Sequence, residues 1–171
     1  MHRRNFFSLF AVAAVALVIP PTGAVSQQGS LKQQLVGAWT LVSIIATDKA
    51  GNKSDRRGPN PKGLLIFDAS GRYSILTSRA DLPNFAIDNV NQGSAEENKA
   101  VMTGMIANIG TWSVDEKTKT ITTNVDAGSF PNLNGKTQTR VISSLTADEL
   151  RYVNGASVSG TVDEAVWRRA K

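Results

Sequence analysis

Cysteine is absent from this chain, and histidine occurs once, at His2. These two absences remove a good deal of chemistry. Without Cys there is no disulfide, no thiolate nucleophile and no soft metal ligand. Without a histidine beyond His2 there is no Ser-His-Asp triad, no haem held by a proximal imidazole and no usual general base. Neither a phosphate-binding P-loop nor a dinucleotide glycine fingerprint occurs in the sequence. The expectation is a protein with no cofactor and no metal site. Long apolar runs are also scarce, and the one present lies at the start of the chain.

That start has the marks of an export signal. Arg3 and Arg4 precede an apolar stretch from Phe6 to Ile19, and Pro20 and Pro21 break it. The stretch has the length of a signal core and is short of the roughly 20 residues needed to span a bilayer. Small residues at Ala24 and Ser26 offer two cleavage points. Residues 1–26 are therefore expected to be a signal peptide and 27–171 the mature domain, exported to the periplasm or secreted, with no stable membrane insertion after cleavage. A lipid-anchored form is excluded, because no Cys is present to carry the lipid. The segment holds two of the 19 basic residues and no acid, which leaves 17 basic against 14 acidic residues, a net charge of +3. Arg56, Arg57 and Lys62 fall in a Gly/Pro loop, and Arg168, Arg169 and Lys171 end the chain. Both groups read as solvated surface, since neither forms a basic stripe with interleaved aromatics, and no nucleic-acid partner is expected.

The remaining 145 residues are enough for one core without covalent staples. Short β-rich runs separated by turn clusters fill them. The expected strands cover 36–47, 63–68, 72–78, 110–114, 118–125, 137–145, 149–154 and 161–169, with a weaker segment at 53–57. One stretch differs. Ser94 and Glu97 form a capping-box pattern, followed by Val101, Met102, Met105, Ile106 and Ile109 at three- and four-residue spacing. That spacing predicts a helix of about three turns packed on the sheet. The polar, turn-rich loop before it, Ala80 to Gly93, is long enough to be a lid. Strand alternation is incomplete, with Thr, Asn and Ser inside several runs. Mixed faces suit a barrel with a partly polar interior better than a dry sandwich. Four adjacent acid pairs, at 96/97, 115/116, 148/149 and 163/164, fit turns, helix starts or strand surfaces, and none identifies a catalytic carboxylate.

Leu35-Val36-Gly37-Ala38-Trp39 resembles the Gly-x-Trp opening strand of lipocalins. The ordered set of Gly63 to Phe67, Gly71 to Ser74, Arg79, Gly110 to Asp115, Phe130-Pro131-Asn132, Gly135, Arg140 and Asp148-Glu149-Leu150 is similar to the bacterial lipocalin-like domain family. The resemblance covers residues 33–168. It implies an all-β fold: an antiparallel barrel of about eight strands with one inserted short helix and a cup for a small hydrophobic or amphipathic molecule. It implies that Trp39 closes one end of the barrel and that Arg140 lies across its ring. Candidate ligand contacts are Arg79, Tyr73, Phe85, Trp112 and Arg140, with Arg79 at the hinge of the lid meeting an anionic head. A binding protein is the leading expectation. A cofactor-free isomerase or cyclase on the same barrel, or an envelope protein without a small ligand, are the alternatives.

Overall fold

The computed structural model describes residues 29–171. The expected signal peptide, residues 1–26, lies outside the described residues. Nine strands form one antiparallel sheet: β1 (Gly37–Thr47), β2 (Lys53–Asp55), β3 (Lys62–Phe67), β4 (Arg72–Ser78), β5 (Met105–Asp115), β6 (Thr120–Gly128), β7 (Thr137–Leu145), β8 (Glu149–Asn154) and β9 (Val162–Arg169). Their order is β2-β1-β3-β4-β5-β6-β7-β8-β9, and β1 also pairs with β9. That last pairing closes eight strands into a barrel and leaves β2 as an extra strand. Two short α-helices, α1 (Leu31–Leu35) and α2 (Ala95–Gly104), and two single 3-10 turns at Val90–Gln92 and Pro131–Leu133 complete the described fold.

The lower end of the barrel is shut by tight turns and by α1. Asp68 and Asp115 each accept backbone N–H groups two residues on, from Ser70 and Lys117, which fixes two of those turns. Helix α1 has a capping box between Ser30 and Gln33, and the carboxylate of Glu116 accepts from the Leu31 and Lys32 amides. Above it lies a dry core of Trp39, Leu65, Phe67, Trp112, Ile121, Leu150 and Trp167, all buried. Trp39 is fully buried and donates its Nε1–H to the Leu35 carbonyl. The cation over its ring is Arg169, with Cζ 4.0 Å from the centroid, and not Arg140. Arg169 faces Trp39 directly across the β1–β9 ladder, so the two side chains share a face. Its guanidinium also donates to the carbonyls of Gln34, Val36 and Ala147. Arg169 therefore ties the last strand to the end of α1 and to the β7–β8 turn, and it is not a solvated terminal charge.

Two departures from sequence expectation have clear causes. In β1 the register against β9 shifts between Leu41 and Ser43. This bulge moves the inward set from Trp39 and Leu41 to Ile44 and Ala46, which is why the strand's alternation looks broken. The second concerns α2, which ends at Gly104, while Met105 begins β5. Ser78 pairs with Met105 and Thr77 with Ile106, so the inner edge of β4 takes these residues into the ladder. Ile106 then lines the interior and Ile109 is exposed, although both fit one helical stripe. Nor does the helix bury an apolar stripe against the sheet, since its one buried residue is Gly104. Another fixed point is Gly110, where β5 bulges: a Cβ would lie 1.9 Å from the Asn124 carbonyl oxygen, so no other residue fits.

Trp39→Ala empties the tightest part of the closed end and strands Arg169. It is expected to destabilise the fold by about 3–5 kcal/mol in chemical denaturation. A loss under about 1 kcal/mol would contradict this packing.

Candidate functional site

The open end of the barrel is built differently. At the level of Tyr73, Thr123, Arg140 and Tyr152 the interior turns polar, and above it lies a cup of about 80 Å³. Ile44, Ile75, Leu133 and Ala165 give it apolar wall, while Arg56, Arg57, Thr77, Asn108, Gln138, Arg140 and Asp163 give it polar groups. Strand alternation explains the supply: β1, β4, β5, β7, β8 and β9 each contribute inward positions near the mouth. A cup of this size has room for a compact chemical group and is well short of the roughly 300 Å³ usual for drug-sized ligands.

Three guanidinium groups meet there. Arg140, on β7, is 7% exposed; its Nη1 donates to Thr123 Oγ1 at 2.8 Å and its Nη2 to Gln138 Oε1 at 3.0 Å. Its Cζ sits 5.7 Å from the centre of the Tyr152 ring. Arg57, just after β2, is 4% exposed. It reaches across the mouth to donate from Nε to Thr77 Oγ1 at 3.1 Å and from Nη1 to the Thr103 carbonyl at 3.2 Å. Burial, and then the like charge of Arg56, press its pKa downward, against the pull of Asp163. Arg56 is the one with an acid partner: its Nε lies 2.8 Å from Asp163 Oδ2, and Ser157, Ser159 and Thr161 accept from its other nitrogens. Among the described residues, Asp163 is the one carboxylate lining the cup. Among the described residues, no carboxylate pairs with Arg57 or Arg140.

The phenols belong to the same layer. Tyr73 donates to Asn108 Oδ1 at 2.7 Å. Burial raises the pKa of both Tyr73 and Tyr152, and the nearby Arg140 charge opposes this in each. Both are therefore neutral O–H donors at physiological pH.

Of the residues singled out by sequence, Arg140 lines the cup and Tyr73 lies just beneath it, bonded to cup residue Asn108. Trp112 belongs to the closed end, with its ring centroid 4.5 Å from that of Phe67 and its Nε1–H donated to the Asp68 carbonyl. Arg79 is turned outward. Its Nε and Nη2 form a bidentate pair with the exposed carboxylate of Asp81. Phe85 packs on Gly93 at the base of its own loop. No residue of Ala80 to Gly93 lines the cup; the segment is held instead against α2, through Glu97 and at Gly104. Missed in the sequence were Arg56, Arg57 and Asp163. A Gly/Pro loop with two arginines reads as surface, and only the non-local bonds to Thr77 and Thr103 show otherwise. No group of three or more His, Cys, Asp or Glu side chains converges to hold a metal ion among the described residues. Nor does any described helix have the length and apolarity to cross a membrane.

A closed antiparallel barrel with a dry end and a polar cup defines the class of protein. The chain belongs to the lipocalin-like domain family, whose model matches residues 36–170. No curated protein matches the sequence significantly. Among solved structures, a lipocalin-like protein from Bacteroides uniformis shares 14% identity at a TM-score of 0.45, covering 80% of this chain and 99% of its own. Bovine odorant binding protein in complex with a selenium-containing odorant shares 15% identity at a TM-score of 0.42, covering 84% of this chain and 74% of its own. A redesigned β-barrel, mFAP1, bound to DFHBI, shares 14% identity at a TM-score of 0.41, covering 82% of this chain and 100% of its own.

The long loop is braced at one carboxylate. Glu97 accepts from the amides of Ala86 and Ser94, and these bonds hold its pKa below the ordinary value of 4.5. Because the folded value is the lower one, the brace is complete above the ordinary carboxylate range and is lost as pH falls through the depressed folded value. The Ala86 and Ser94 amide shifts in an NMR titration should move together with a midpoint below 4.5. A midpoint at or above 4.5 would show that the brace does not form in solution.

Proposed function

We propose that the protein binds a small anionic molecule in the barrel cup, with Arg57 and Arg140 as its charge partners. One observation carries this reading: two guanidinium groups are buried in the same cup and neither has a carboxylate partner. A buried, unpaired charge is costly, and proteins normally neutralise it. A bound carboxylate, sulfate or phosphate would supply the missing charge through short, directional N–H···O bonds. Gln138, Asn108 and the Tyr152 hydroxyl surround the same space and favour oxygen atoms. The small cup suits such a head group and not a wholly apolar ligand. The catalytic alternative gains no support, since the one cup carboxylate, Asp163, is held by Arg56 and Thr161.

The test separates binding from folding. Arg140→Met should weaken binding of acetate, sulfate or phosphate by about 10- to 150-fold in calorimetry, the worth of a charge-assisted hydrogen bond of roughly 1.5–3 kcal/mol. Without ligand its stability should be unchanged or higher, because an uncompensated charge has been removed. Unaltered anion binding, or a wild type that binds none of the three, contradicts the reading. A strong loss of stability would give Arg140 a structural role instead.

The proposal includes export. Arg3, Arg4 and the apolar stretch from Phe6 support a cleaved signal. Protein recovered from the periplasmic or secreted fraction should begin at Val25 or Gln27 on N-terminal sequencing. Intact Met1 in a membrane pellet would refute it.

A further inference from the structure

An Asn-Gly pair is prone to self-modification, because glycine leaves its amide nitrogen unhindered for attack on the preceding side chain. The pair occurs twice here, at Asn134-Gly135 and Asn154-Gly155. The fold treats the two differently. Asn134 lies in the β6–β7 turn, where the Gly135 N–H donates to the Val125 carbonyl at 2.8 Å. That bond occupies the nitrogen that would attack. At the other pair, the Gly155 N–H has no acceptor among the described residues. Gly155 is exposed, and nothing lies within 4 Å of the position its Cβ would take, so a ring has room to close. Asn154 Oδ1 accepts from the Ala156 amide at 3.2 Å. This bond folds the side chain back along its own backbone toward Gly155. It also places a donor where negative charge develops on the amide oxygen during attack.

The position of Asn154 gives the reaction a consequence. Asn154 ends β8 and faces Asp163 across the β8–β9 ladder. It lines the cup together with Arg56, Arg57, Arg140 and Asp163. We propose that Asn154 is a site of spontaneous deamidation, and that the carboxylate it forms becomes an internal counter-ion for the cup arginines. In the first step hydroxide takes the Gly155 amide proton, and that nitrogen attacks Asn154 Cγ. The Cγ–Nδ2 bond breaks, ammonia leaves and a succinimide ring closes. Water then opens the ring: attack at Cγ gives aspartate, and attack at the α-carbonyl carbon gives isoaspartate. Nothing is oxidised or reduced; amide and water become carboxylate and ammonia. Before the reaction the cup sets three guanidinium groups against Asp163, which Arg56 already engages. After it a second carboxylate stands beside Asp163 and competes with any external anion for the same cations. The modification thus acts as a one-way timer on the cup. That consequence rests on the anion reading above, whereas the chemistry at Asn154 does not.

The experiment ages the purified protein in mildly alkaline buffer and follows each site by peptide mapping with mass spectrometry. It uses the wild type, Asn134→Gln and Gly155→Ala. Deamidation at Asn154 should outpace that at Asn134 by about 2- to 12-fold, the worth of the one net backbone hydrogen bond that guards Gly135. Asn134→Gln should leave the rate at Asn154 unchanged, and Gly155→Ala should suppress it, since the added methyl hinders the attacking nitrogen. Phosphate binding is then measured by calorimetry on fresh wild type, on deamidated wild type separated by ion exchange, and on fresh Asn154→Asp. Both modified forms should bind phosphate at least about tenfold more weakly, because a like charge now faces the anion. The separated wild type guards against a folding defect in the variant. Deamidation at Asn134 as fast as at Asn154, or undiminished in Gly155→Ala, overturns the site. Unchanged phosphate affinity in both modified forms overturns the counter-ion role and leaves the modification standing. A fresh wild type that binds no phosphate refutes the anion reading and the counter-ion role with it, while the mass data still decide the site.

Discussion

The geometry of the site follows from a mismatch of strand lengths at the point where the barrel closes. β1 runs from Gly37 to Thr47 and is paired with β9 along nearly all of it, but β3 pairs only with Gly37 to Thr40. The upper part of β1 would be left with a row of unpaired backbone groups, which a buried or aggregation-safe edge does not tolerate. β2 fills this place, pairing Asp55, Ser54 and Lys53 with Ile45, Ala46 and Thr47. Because β2 is only three residues long and ends over the mouth, the next two residues are delivered to the interior. They are Arg56 and Arg57. The pairing requirement of a backbone edge thus places two cations at the entrance of the cup.

From that point the two halves of the barrel obey opposite rules. The lower half has aromatic and aliphatic side chains in contact, with the few polar groups spent on backbone caps, as in the bonds from Arg169 to three carbonyls. Its burial supplies the stability. The upper half gives some of that stability up. Arg140 has neutral partners only, and Arg57 is bonded to a hydroxyl and a carbonyl, with burial and Arg56 both working against its charge. Sites for charged ligands are expected to carry such local deficits, offset elsewhere in the fold.

How far the sequence reveals this depends on the range of the interaction. β4, β7 and β8 are legible to the residue, because turn chemistry and alternation mark both ends. The capping box of Ser94 and Glu97 gives the start of α2 equally well. The end of that helix is not legible, because Ile106 and Ile109 fit a helical stripe as well as a strand, and pairing with β4 decides between them. In β1 the bulge reverses the parity of the inward face, which no periodicity count detects. The site residues fail for the same reason. Arg140 can be found from its strand position, yet its partner ring could not, since Trp39 meets Arg169 only through the closure of β1 on β9. Arg57 carries no local sign of burial at all: its partners lie 20 and 46 residues away.

The placement of charge also bears on how the protein would respond to the anion proposed above. An anion that binds the folded barrel and has no affinity for the unfolded chain raises stability with the logarithm of its concentration. For the anion proposed above the gain would have a local origin, because its charge would offset the deficit that Arg57 and Arg140 create. Much of the relief falls on bonds that hold the mouth together. Arg57 connects β2 to Thr77 on β4 and to the end of α2 at Thr103. Arg56 connects β2 to Asp163 and the β8–β9 loop. Arg56 and Arg57 are therefore cross-ties of the mouth, as Arg169 is of the closed end, and under the proposed reading Arg57 would also help seat the anion.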